Sequence, residues 1–111
     1  MDKAKFFDAA EAKVLERPVP VIADMMKFRV MTGTARDEFH RIVEAGDKTA
    51  SHFEAALVVA TVVNDDHSPM FTADDVQALR ERDANALTAV AQIAMQVNKI
   101  GVKAEAEAAK N

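Results

Sequence analysis

The chain has no cysteine, no tryptophan and no tyrosine, and only three glycines and three prolines in 111 residues. Without cysteine there is no disulfide framework and no thiol chemistry. With three scattered glycines there is no loop to cradle a phosphate. The most apolar run, Ala55–Val63, falls far short of the ~18 residues that suggest a membrane span. The N-terminus, MDKAKFFDAAEAK, is charged and lacks the apolar region of a signal peptide. Net charge is −4 with both signs interspersed, so there is no basic stripe for nucleic acid. These absences leave a cytoplasmic protein with no membrane and no nucleic-acid partner as the expectation.

What is present suits packed helices. Half the residues are apolar, and all of these are Ala, Val, Leu, Ile, Met and Phe. A chain of this length makes one domain and buries roughly two-thirds of its unfolded surface.

The stretch Asn64–Leu79, NDDHSPMFTADDVQAL, organises the rest. It reads as a polar turn, two apolar residues, then a helix start. Thr72 is a natural N-cap, and Asp75 can reach back to the free amides of the first turn. Asp74 and Asp75 also put negative charge at the positive end of the helix dipole. Phe71 is placed to plug the space between the helix before the turn and the stripe that begins at Val76 and Leu79.

In chain order, Asp2–Leu15 reads as a helix with Phe7, Ala10 and Val14 on one face and Phe6 beside them. It either packs on the domain or swings free until it meets a neighbour. Glu16–Ile22, ERPVPVI, cannot be helix. Pro18 and Pro20 each remove an amide donor, which confines this strand to an edge. Ala23-Asp24-Met25 reads as a turn and Lys27–Met31 as the returning strand, with Phe28 and Val30 on one face. Thr34 can cap a helix over Ala35–Ala45 with inner residues Phe39, Ile42 and Val43, which Gly46 ends.

Asp47 or Thr49 starts the next helix, apolar nearly all round and therefore central. Its β-branched residues leave a buried strand as the rival. A helix over Ala73–Arg82 follows. Asp83 or Asn85 caps a last helix to about Lys99, with a seam of Ala86, Val90, Ile93, Val97 and Ile100. The predicted fold is mainly α within the α+β class. It is a compact bundle of four to five helices with a small N-terminal β-hairpin. Residues 1–102 form one helical domain, and 103–111 form a frayed or disordered tail.

Few groups suggest chemistry. Asn64, Asp66, Ser68 and Asp75 match four oxygen positions of a calcium loop, but Pro69 stands where that loop needs glycine. A turn and a helix cap explain the same residues without a metal. His40, His52 and His67 are scattered and make no helical metal pair. Ser51 and Ser68 lack the context of a nucleophile. No catalytic residue, cofactor site or metal site is predicted, and no enzyme. Met25, Met26 and Met31 flank the hairpin and are either core filling or an adaptable contact surface. If the hairpin is a contact surface, Val19, Val21, Met25, Met26, Phe28 and Met31 carry it. The structural motif of the later turn is Phe71, Thr72, Asp75 and Leu79.

Two segments read together resemble a known family. One is Phe28–Phe39, FRVMTGTARDEF, and the other is Val62–Leu79, VVNDDHSPMFTADDVQAL. Their order and spacing resemble the small tail assembly chaperones of long-tailed, lambda-like siphovirus phages and prophages, over about Val19–Ile100. The chain departs from the family at His67-Ser68-Pro69, where members often carry glycine. The resemblance implies a non-enzymatic role in the host bacterial cytoplasm. There the protein would bind the tape-measure protein, help recruit tail-tube protein, form homo-oligomers and be absent from the finished particle. It also implies that a longer, frameshifted form can exist. Two other readings compete. One is a small head–tail connector or other virion protein retained in the particle. The other is a small metal-responsive or transcription-associated regulator.

Overall fold

Helix α3 (Ala50–Thr61) is the hub, and its composition dictates that place. Every residue from Ala55 to Thr61 is buried. A helix apolar on all sides must be surrounded, and α2 (Gly33–Ala45), α4 (Val76–Arg80) and α5 (Ala84–Val97) all pack on it. Its buried hydroxyl is satisfied internally, Thr61 Oγ1 donating to the Leu57 carbonyl at 2.7 Å. The computed structural model describes residues 1–101. The tail predicted for 103–111 lies outside the described residues.

The other elements are α1 (Lys3–Ala9) and three strands, β1 (Val14–Val19), β2 (Asp24–Arg29) and β3 (Val62–Val63). The predicted class stands: five helices and a three-stranded antiparallel sheet among the described residues. The strand order is β1-β2-β3, so the hairpin gains a third strand. Both readings of the apolar run are partly realised. It is helix to Thr61 and then strand, Val62 pairing with Phe28 and Val63 with Lys27. The β-branched end therefore extends exactly where β2 offers unpaired backbone groups.

Several boundaries move, each for a local reason. The first helix spans Lys3–Ala9 rather than Asp2–Leu15, because Val14 and Leu15 pair with Arg29 and Phe28. The hairpin turn is a 3₁₀ turn at Pro20–Ile22 closed by Ala23, whose φ of 55° is left-handed. Asp24 and Met25 belong to β2. Lys13 accepts the Val30 amide at 2.8 Å. Antiparallel alternation then turns the backbone of Val14, Glu16 and Pro18 outward, so Pro18 lacks its donor on the side where none is needed.

Helix α2 is capped by Thr32, not Thr34: Thr32 Oγ1 accepts the Ala35 amide at 3.1 Å. The stretch predicted as one helix over Ala73–Arg82 is a 3₁₀ turn at Ala73–Asp75 followed by α4. Thr49 and Asp83 are the caps of α3 and α5, accepting the amides of His52 and Ala86. The buried stripe of α5 is Leu87, Val90, Ala91, Ala94 and Val97. Ala86, Ile93 and Ile100 from the predicted seam are half-buried beside it.

Arg80 ties α4 to the α2–α3 loop. Its guanidinium donates to Asp47 Oδ2 at 3.0 Å, Ser51 Oγ at 3.0 Å and Thr49 Oγ1 at 3.2 Å. Hydrogen bonds from Thr49, with Arg80 beside them, hold the Asp47 carboxyl down at about 2.

Gly46 ends α2 as predicted, but not through left-handed geometry: its backbone is extended, at φ −95° and ψ −173°. The glycine is needed because the His52 ring lies against it, and an added Cβ would overlap that ring. The ring is held by its Nε2, which meets the Ile42 carbonyl, otherwise unsatisfied in the last turn of α2, at 2.7 Å. Gly46→Ala is expected to cost about 1–2 kcal/mol by displacing the ring and breaking that bond. In a urea titration, His52→Ala and the Gly46→Ala/His52→Ala double variant should then be nearly equal in stability. Additive losses would show that the ring is not what excludes the methyl group.

Candidate functional site

The segment Asn64–Leu79 builds one wall of the site. Asn64 N–H donates to the Ser68 carbonyl and His67 N–H to the Asn64 carbonyl, both at 2.8 Å. His67 adopts a φ of 71°, the conformation glycine takes without cost. Asp66 Oδ1 accepts from the Ser68 hydroxyl at 2.5 Å and its amide at 3.0 Å, and these bonds lower the Asp66 pKa. Asn64 Nδ2 donates to Ser68 Oγ at 3.0 Å. Asn64, Asp66 and Ser68, which match positions of a calcium loop, are thus hydrogen-bonded to one another within the turn. Asp75 lies elsewhere, with Oδ2 accepting the Thr72 amide at 2.8 Å. Among the described residues, no three His, Asp or Glu side chains converge on a possible ion site.

That cap directs the chain so that Phe71 and Leu79 face inward. Both are half-buried against the core. Phe71 does not plug the helices completely, because part of its ring borders an open groove. The groove runs between the hairpin tip, α4 and α5. It has a volume of about 180 Å³ and is lined by Ile22, Met26, Val58, Phe71, Leu79, Arg82, Ala86, Leu87 and Val90. Arg82 is its only charged residue. Beside the groove the hairpin tip exposes Val21 at 50%, Ile22 at 45% and Met25 at 48%. The reason is local. The 3₁₀ turn projects two consecutive apolar residues, and Met25 lies on the face of β2 opposite Phe28.

The six hairpin residues predicted for contact therefore divide. Val19 and Phe28 are a correction: both are fully buried and belong to the core. Phe28 sits between its cross-strand partners Leu15 and Val62 on the inner face of the sheet. Met26 is half-buried in the groove wall. Met31, also half-buried, lines a separate cavity of about 460 Å³ with Phe39, Val43 and Phe53. Val21 and Met25 are at the surface. Ile22 was missed, although its place at the end of ERPVPVI, after two prolines, signals an apolar residue at a turn. On the α5 side of the groove, Ala86 and Val90 are residues that the sequence pattern assigns to the helix seam.

With this geometry in place, comparison with known proteins adds one finding. No protein-family model matches the chain, and no curated protein matches it. Among solved structures, the fold is similar to that of the bacteriophage HK97 tail assembly chaperone. The TM-score is 0.56 and the sequence identity 16%, over 86% of this chain and 98% of that one. The chain shares a tail-chaperone-like fold. At this identity the likeness speaks for architecture alone.

Proposed function

We propose that this protein is a non-enzymatic phage tail assembly chaperone, acting in the host cytoplasm. It binds apolar segments of the tape-measure protein, keeps them soluble, and helps bring tail-tube subunits to them. The observation that carries this reading is the fold likeness to the HK97 chaperone over nearly the whole of both chains. The surface supports it. A holdase needs exposed apolar side chains on a charged body, and the hairpin tip presents Val21, Ile22 and Met25 together on an acidic protein. Small branched side chains and a methionine accommodate many apolar sequences.

The test is co-expression with the tape-measure protein of the same phage or prophage. The expected result is a soluble complex that co-elutes on gel filtration, while the tape-measure protein alone is insoluble. Val21→Asp/Met25→Asp should weaken that complex at least roughly tenfold, since exposed apolar contacts carry the binding, and should leave the melting temperature nearly unchanged. Equal recovery of soluble client with the double variant, or with no chaperone at all, would overturn the proposal.

A further inference from the structure

We infer that the cavity between α2, the end of β2 and the end of α5 binds a small amphipathic carboxylate, with its apolar body among the aromatic rings and its charge on Arg36. The cavity has a volume of about 460 Å³, within the ~300–1,000 Å³ usual for small-ligand sites. Six of its nine lining residues are apolar: Val30, Met31, Phe39, Val43, Phe53 and Ile100. No Asp or Glu lines it, although acidic residues outnumber basic ones in the chain, 18 to 14. The walls are held by contacts within the chain. Phe39 and Phe53 meet edge to face with centroids 5.5 Å apart. Asn98 Oδ1 accepts the Met31 amide at 2.8 Å, which fixes another wall. Lys99 then takes a left-handed φ of 57°, and the Ile100 amide donates back to the Met95 carbonyl at 2.8 Å. That reversal returns Ile100 to the cavity. A site held this way loses little to ordering when a ligand enters.

Two polar side chains in the wall are left to orient a ligand. Asn98 is not one of them, because its Nδ2 already donates to the Arg29 and Ala94 carbonyls. Arg36 and His40 stand one turn apart on α2, on the face that also carries Phe39 and Val43. The His40 ring lies beside Phe39, with centroids 5.5 Å apart. Among the described residues the Arg36 guanidinium pairs with no carboxylate. Its planar fork matches a carboxylate through two parallel N–H donors. Apolar walls beside a guanidinium select a molecule with both parts, an aryl or branched acyl body that ends in a carboxylate. Acetate lacks the body, and a neutral amide lacks the charge. This inference lies outside the chaperone reading, and no tail protein is needed to test it.

Phenylbutyrate is the probe, titrated calorimetrically into the full chain, with phenylbutyramide and acetate as controls. Phenylbutyrate should fill one saturable site. The amide should bind at least roughly tenfold more weakly, and acetate should give no heat of binding. Arg36 is exposed, so Arg36→Gln should keep the melting temperature. It should bring the affinity for the acid down to that for the amide, and leave the amide's affinity as in the wild type. That pattern separates a lost charge from a damaged cavity. In a parallel NMR titration, the backbone amides of α2 and Ile100 should shift while those of the hairpin tip stay. The inference is overturned if phenylbutyrate does not saturate the protein, or if acid and amide bind alike. It is equally overturned if Arg36→Gln weakens both ligands to the same degree, or neither. Shifts confined to the hairpin tip would put the ligand in the other groove and reject this site. So would an affinity that falls as the protein concentration is raised, because a second copy would then fill the cavity.

Discussion

Phe28→Ala should lower the stability of the protein by about 3–5 kcal/mol, the range for deleting a fully buried phenyl ring. The ring has no exposed surface. It lies on the central strand, with Leu15 opposite it on one side and Val62 on the other. Its removal opens a void that rigid neighbours cannot close: the ring lies between two paired strands, and helix α5 packs on β2. For a domain of about this size, a loss of that order lowers the melting temperature by roughly 15–30 °C. Since typical stabilities are only about 5–15 kcal/mol, part of the variant would be unfolded at moderate temperature. Met25→Ala is the control. Met25 is three residues away on the opposite, exposed face of β2 and should cost less than about 0.5 kcal/mol. Urea titration of the two variants against the wild type measures both. A Phe28→Ala loss under about 1 kcal/mol would mean that the sheet does not cover this ring.

Phe28 also shows where reading the sequence reached its limit. Its alternation with Val30 identified a strand with one inward face, which is correct. Alternation does not say whether that face meets the protein's own core or a partner. The deciding fact is a third strand, Val62–Val63, more than thirty positions on. The sequence pattern leaves those two valines between an apolar helix and a buried strand, because helix periodicity and β-branching give conflicting signals there and nothing local resolves them. The sheet is settled only by the pairing itself.

Caps and turns were more legible because their physics is local. Thr49, Thr72, Asp75 and Asp83 take the places their side-chain chemistry suggests. At α2 the predicted cap, Thr34, lies two positions past the actual one, Thr32, because both threonines carry the same capping chemistry. The later turn shows the same limit. Capping at Thr72 was readable, but the break between the 3₁₀ turn and α4 was not, since it follows from how Val76 and Leu79 meet the core. The groove was not legible at all. Its walls come from the hairpin tip, α3, the turn before α4, α4 and α5, elements far apart in the sequence that no local pattern brings together.

The least legible contact supplies the second large effect. Asn98, just past α5, carries no signal in the sequence: it is a polar residue near the end of an amphipathic helix. In the structure it fastens that helix to the end of β2. Its Nδ2 donates to the Arg29 carbonyl at 3.2 Å and the Ala94 carbonyl at 3.1 Å, and its Oδ1 accepts the Met31 amide at 2.8 Å. Asn98→Ala leaves a part-buried amide and a part-buried carbonyl without partners, each worth about 1–2 kcal/mol at partial burial, so a total loss of about 2–4 kcal/mol is expected. Asn98→Asp separates hydrogen bonding from packing. It matches asparagine in shape and keeps the acceptor for Met31, but it turns an oxygen toward two carbonyls. If the donors matter, Asn98→Asp at neutral pH should be no more stable than Asn98→Ala in the same urea titration. If the aspartate variant instead matches the wild type, the side chain acts as a spacer, and the join between sheet and helix must rest on apolar contact alone.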